Sequence, residues 1–165
     1  MAQAASIVAE QVATLLRSAT TGLGPAIGEI ATNANVELRS IPVENIILQN
    51  TPAGIAEKHL VAKYPAVFLY VDRVQNTLTE KFRLFSGKVR TVVEVRVSQD
   101  RVQELEPNLR YYVDGIAQVL DANRGSWGQG MFFAGQYEVR YEPVQQGGRN
   151  LLQVAKVIFE VDLSS

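Results

Sequence analysis

Residues 86–98 read SGKVRTVVEVRVS, and this stretch decides the fold. Val89, Thr91, Val93, Val95 and Val97 recur at every second position. Lys88, Arg90, Glu94 and Arg96 take the alternate positions, interrupted by Val92. Alternation with period two in β-branched residues predicts a strand with one face on a core and one polar face. Just upstream, Phe82 and Leu84 have the opposite parity. A one-residue phase shift near Ser86-Gly87 predicts a β-bulge inside one long bent strand over 81–98.

Working outward, Asp100 with Gln103 predicts a capping box. Val102, Leu105, Leu109, Tyr112, Val113, Ile116, Val119 and Leu120 then mark the core face of a helix, which Pro107 kinks or restarts. Asn123 and Gly125 end it. Residues 124–135, RGSWGQGMFFAG, form a Gly-rich loop with exposed-looking aromatics. Tyr137, Val139 and Tyr141 alternate with Glu138, Arg140 and Glu142 in a strand. Gln146-Gly147-Gly148-Arg149 predicts a hairpin turn. Leu151, Ala155, Val157, Phe159, Val161 and Leu163 share one face of the last strand. Toward the N-terminus, Ala66–Val71 is an apolar run introduced by Pro65 and predicts a strand buried on both faces. Thr51-Pro52 opens a short helix to about Ala62. Residues 36–49 stay ambiguous, and because Pro42 interrupts them any strand there is an edge. Residues 20–35, TTGLGPAIGEIATNAN, predict a loop. Residues 3–20 predict an amphipathic helix on Val8, Val12, Leu15, Leu16 and Ala19. The pattern as a whole predicts a single α+β domain over 1–165, with a mixed or mainly antiparallel sheet and helices packed on one face.

The composition narrows the chemistry. In 165 residues there is no Cys and one His, His59. That excludes disulfide scaffolds, cysteine zinc sites and thiol nucleophiles. His59 lies in a predicted surface helix, and there is no G-x-S-x-G elbow to supply a serine nucleophile. Glu104 with Glu106, and Glu160 with Asp162, are carboxylate pairs without the further ligands a metal site needs. The glycines of residues 22–28 have the wrong spacing for a phosphate loop and no following Lys-Ser/Thr. The expectation is a protein that is not an enzyme and uses no cofactor and no metal. Lys+Arg total 16 and Asp+Glu 17, so the chain lacks the basic excess of a dedicated nucleic-acid binder. The longest apolar stretch, Tyr64 to Val71, is far shorter than the roughly 20 residues of a membrane helix. The N-terminus has no early positive charge, so the expectation is a soluble intracellular chain without a targeting signal.

Two features point to contacts with other chains. Lys81, Arg83, Lys88, Arg90, Arg96 and Arg101 face only Glu94 and Asp100 within residues 81–101. These basic groups either meet an acidic partner or phosphates, or pair across strands with Glu138, Glu142, Glu160 and Asp162. Cross-strand pairing is favoured because the chain as a whole is not basic. Trp127, Met131, Phe132 and Phe133 stand among four glycines. They either fold back onto the core or insert into a partner. Candidate subunit or partner contacts are therefore Lys88, Arg90, Arg96, Trp127, Met131, Phe132 and Phe133. A small-molecule module is the other class, with Phe68, Tyr70, Tyr112 and Tyr141 as pocket-lining candidates that more simply fill the core.

The N-terminal helix, the strand introduced by Tyr64-Pro65-Ala66-Val67, the run KVRTVVEVRVS, the helix and the Gly-linked terminal hairpin together resemble the tail-terminator or tail-completion proteins of tailed bacteriophages. The stretch FSGKVRTVVEVRVSQDRVQELEPNLRYYVDGIAQVL, residues 85–120, carries the resemblance most closely, and the pattern covers about three quarters of the chain. The resemblance implies a small structural virion protein without catalytic residues, assembled in the host cytoplasm. It implies self-association into a ring, usually a hexamer, that stops the tail tube and meets the head connector. The implied partners are the tail tube protein and head-tail connector proteins, with genomic DNA passing through the lumen without sequence specificity and no membrane. Other phage neck and head-tail adaptor proteins share this architecture. Strand 81–98, loop 125–135 and the terminal hairpin 137–163 are expected to supply most contact between subunits.

Overall fold

The structure is a computed structural model that describes residues 3–53, 63–147 and 150–165. The helix expected after Thr51-Pro52, with His59, lies outside the described residues, as does the Gly148-Arg149 centre of the terminal turn. In chain order the elements are α1 (Ala4–Arg17), α2 (Leu23–Ala34), a 3-10 turn (Val43–Asn45), β1 (Ile46–Leu48), β2 (Ala66–Asn76), β3 (Ser86–Gln99), α3 (Val102–Ala122), β4 (Gly125–Gly128), β5 (Met131–Phe133), β6 (Tyr137–Tyr141), β7 (Gln145–Gly147) and β8 (Asn150–Ser164). The class is α+β: the described strands form one mixed sheet curled into a half-barrel, with helices packed on it.

β3 pairs on both edges, with β2 on one and β8 on the other, through main-chain N–H and C=O groups that point to either side. The strand order is β1-β2-β3-β8-β5-β4, and β6 and β7 also pair with β8. β1 runs parallel to β2, and the other pairings are antiparallel. On the helix face Val67 and Leu69 of β2 lie opposite Val95 and Val93 of β3. Val93 and Val95 in turn face Val157 and Ala155 of β8. These side chains are buried with the apolar stripes of α1 (Val8, Val12, Leu16) and α3 (Leu105, Leu109, Ile116, Leu120) in the main core. Each fully buried Val or Leu stabilises the fold by about 1.5–3 kcal/mol relative to exposure.

Several expectations are corrected. Within residues 20–35, expected as a loop, Leu23–Ala34 form a helix. Pro25 is the third residue of α2, where its missing N–H has no intrahelical partner to lose. Leu23, Ala26 and Ile27 form a short buried stripe on α3. Asn35 ends α2 in the left-handed region at φ 54°, with Val36 N donating to Ala31 O and Asn35 N to Thr32 O. That is a Schellman cap. α3 has Gly115 where α2 crosses, and a Cβ there would sit 3.2 Å from Leu23 and Ile27. α1 ends at Arg17, so Ala19 is not on its face. β3 starts at Ser86, and residues 77–85 are an irregular loop rather than strand. The bulge lies in β2 at Asp72, between the pairs Val71↔Thr91 and Arg73↔Arg90. The N-cap of α3 is Arg101 without a side-chain cap, so there is no capping box. α3 runs continuously through Pro107. The ambiguous 36–49 segment ends in β1, a three-residue edge strand. Residues 125–133 form a β-hairpin, with Gln129 and Gly130 both at positive φ between Gly128 and Met131. That is the geometry of a two-residue type I′ turn.

Candidate functional site

The face of the sheet away from the helices has two halves. Toward the start of β2 it is buried: Phe68, Val92, Glu94, Arg96, Leu152 and Val154 are all inaccessible. Toward the end of β2 it is exposed and charged, with Lys88 between Glu160 (3.5 Å) and Asp162 (3.3 Å), Arg73 on Glu160 (3.1 Å) and Arg90 on Asp72 (3.4 Å). Hydrogen bonding to Asp162 raises the Lys88 ammonium pKa above its usual value. Cross-strand pairing thus accounts for Lys88, as the sequence favours. Arg90 pairs instead with Asp72, the extra residue of the bulge on the neighbouring strand β2.

Arg96 is corrected as a surface candidate. It is 2% exposed. Its Nε donates to Glu94 Oε2 at 2.6 Å, its Nη2 to the Thr51 carbonyl, and its guanidinium lies 3.8 Å from the Phe68 ring centroid. Glu94 also accepts from Tyr70 Oη at 3.3 Å and faces Lys156 Nζ at 3.7 Å. Burial, then the Glu94 charge, raises the Tyr70 phenol pKa far above its usual value. This is an internal charge network beneath main chain from Thr51, and Arg96 offers no surface to a partner.

The Gly-rich aromatics are also corrected. Met131 and Phe133 are buried in the core, and Phe133 stacks edge-on to Phe159 at 5.4 Å. Trp127 is half-buried against Phe133, with Nε1 donating to Asn123 O at 2.6 Å. Strand alternation in β5 turns only Phe132 outward, at 48% exposure. Of the seven contact candidates, Lys88 and Phe132 come together at one end of the sheet. Arg90 stands one step farther along β3.

That same end carries residues the sequence did not single out. The loop of residues 77–85 connects β2 to β3 and is held by main-chain bonds from Thr77 and Leu78 to Ser86 O and from Leu84 and Phe85 to Ser165 O. Ser164 Oγ donates to Glu80 Oε2 at 2.5 Å. Thus the loop is tied to both β3 and the end of β8, yet Phe82 is fully exposed, Leu84 82% and Leu78 58%. These three side chains make an exposed apolar tip on the loop; Phe132 lines a hollow with Thr77, Thr79 and Glu80, and Glu80 holds Arg83 at 3.6 Å. The alternation of Phe82 and Leu84 suggests strand, but Phe82 stands in the left-handed region at φ 64°, which no regular strand contains, and β2 itself runs on to Asn76.

At the opposite end of β2 and β3 a groove of about 640 Å³ opens between the segment after α2, the end of β3 and the start of α3. Glu37, Leu38, Arg39, Val97, Glu104 and Tyr112 are among its lining residues, and Val97 and Tyr112 are themselves buried. Tyr112 Oη donates to Arg39 O at 2.6 Å, and burial pushes this phenol up to about 12. Among the described residues no cluster of three or more His, Asp or Glu side chains forms a metal-holding group. No described helix is long and apolar enough to cross a membrane. No protein-family model matches the chain, and no curated protein matches its sequence.

Proposed function

We propose that this chain is a structural virion protein, a tail terminator that assembles as a ring, of the hexameric kind, on the end of a phage tail tube and joins it to the head connector. The observation that carries this is the ordered apolar tip. A loop that is hydrogen-bonded at both ends but keeps Phe82 and Leu84 in water is built to be buried by another subunit. The order of elements supports it, since an N-terminal helix, a central valine-rich strand, a long helix and a terminal hairpin are the features of the resemblance. In this role the side chains do no bond chemistry. The sheet gives a rigid frame, and surface complementarity sets the number and tilt of subunits.

The reading is tested on the full chain by light scattering and negative-stain imaging, alone and added to purified tail tubes. A ring with a central lumen, and tubes capped at one end, are expected. A monomer over a wide concentration range that also leaves tubes uncapped would sink the proposal.

A further inference from the structure

β6 pairs with β8 along one edge, and among the described residues no strand takes its other edge. Its five residues read Tyr137-Glu138-Val139-Arg140-Tyr141, and all but Val139 are exposed. Just past the strand, Glu142 N donates to Val154 O. Main-chain groups alternate in direction along an antiparallel strand. Those of Glu138 and Arg140 therefore face β8, and those of Tyr137, Val139 and Tyr141 point to the open edge. We infer that this edge pairs antiparallel with the same edge of a second copy of this chain, with Val139 on the two-fold axis. The contact is isologous, unlike the head-to-tail contacts of a ring, so it does not rest on the ring-forming reading above.

Charge and hydrogen bonding select a second copy and agree on one register. Like charges along an edge strand repel a second strand, but this edge is its own complement. With Val139 opposite Val139, each Glu138 stands opposite Arg140 of the other copy. Within one chain Arg140 Nε already donates to Glu138 Oε1 at 3.1 Å, so the four groups alternate in sign around the axis. On the helix face each Tyr137 meets Tyr141 of the other copy, and these side chains are 36% and 43% exposed in the single chain. Centring the pair on Glu138 or on Arg140 instead sets like charges directly opposite, which is unfavourable. The Val139 register also engages every outward-pointing residue of β6, giving roughly six main-chain hydrogen bonds, whereas the other two engage fewer. The contact ends where β6 ends. Residues 134–136 lie outside the ladder with β8, and Pro143 has no N–H to donate.

The test uses the full chain, with light scattering over a wide range of concentration. The wild-type chain should pass through a dimer as concentration rises. Two charge reversals, E138R and R140E, then probe the edge. The Glu138 and Arg140 side chains are 60% and 58% exposed, so both variants should keep the wild-type melting curve. Each variant alone should dimerise more weakly by about tenfold or more, because both cross-strand pairs turn from attraction to repulsion. Mixed one to one, they should form a heterodimer, since an all-basic edge then meets an all-acidic one. The double variant E138R/R140E exchanges the charges within one chain and should restore the homodimer. An E138R chain that dimerises as tightly as wild type, or a mixture that forms no heterodimer, would overturn the inference. A wild-type chain that shows no dimer yet still caps tail tubes would overturn it while leaving the ring reading standing.

Discussion

Replacing Arg96 with Met tests whether this residue is part of the protomer's interior or of its contact surface. Arg96 is 2% and Glu94 5% exposed, so the substitution leaves a carboxylate buried without its closest counter-ion. Removing one member of a buried ion pair costs about 3–5 kcal/mol, because the remaining charge keeps its desolvation penalty. Here Glu94 retains the Tyr70 hydroxyl at 3.3 Å and Lys156 at 3.7 Å, and Met refills part of the space over Phe68. The loss should therefore sit near the lower end, at about 3 kcal/mol. For a chain of this length a loss of that size lowers Tm by roughly 6–12 °C. Urea unfolding should show the midpoint falling by about 1–2 M with an unchanged slope. The double variant R96M/E94L removes both charges and should recover most of the loss, since apolar replacement of a whole buried pair is often neutral or better. Lys156 still holds Glu142 at 3.1 Å in that variant. A single R96M variant that loses less than about 1 kcal/mol, or a double variant less stable than the single, would refute the network. Unchanged stability with lost assembly would instead place Arg96 at an interface.

Further outcomes follow from close contacts and titrating groups. Gly115→Ala should be nearly neutral by thermal melting, because a gain of about 1 kcal/mol in helix propensity offsets the 3.2 Å approach to Leu23 and Ile27; Gly115→Val should cost about 1–3 kcal/mol. Gly130→Ala should cost more than about 2 kcal/mol, since its φ is +81° and a Cβ would fall 1.9 Å from Ser164 O; a melting curve like that of wild type would contradict the turn geometry. Tyr112 titrates at about 12 in the folded chain and near 10.0 when unfolded. The unfolded chain thus loses this proton first, so the contribution is present in full below pH 10 and is lost as pH rises toward 12. Stability measured by urea across that window should fall by about 2 kcal/mol more in wild type than in Tyr112→Phe, and equal slopes would contradict the burial of the phenol.

How much was legible follows from which interactions are local. The valines of 89–97 alternate strictly because a strand places successive side chains on opposite faces, so β3, its inner face and the matching face of β8 could be read directly. The stripe of α3 was equally clear, as helical spacing persists over 21 residues. α2 was hidden because its buried stripe is only three residues long and its two glycines and Pro25 carry loop signals; contact with α3 across Gly115 is what holds it. In the Gly-rich segment the side-chain types were right for either core or interface. Only the type I′ turn, which fixes the register of β5, sends Met131 and Phe133 inward and Phe132 outward.

Composition alone determined that this chain has no cysteine chemistry and a single histidine, and periodicity alone determined an α+β sheet built on a valine-rich centre. Both are properties of single residues and of short-range spacing, which a sequence records without ambiguity. Only the tertiary structure decided which polar residues are surface and which are interior. Lys88 and Arg96 occupy the same face of the same strand, eight residues apart, yet one pairs with Glu160 and Asp162 in water and the other lies beneath the main chain of Thr51. The difference comes from what the rest of the chain lays over each half of the sheet. The same long-range placement leaves Phe82 and Leu84 exposed at one end of the sheet and opens a groove at the other, about 45 Å away by the length of β3.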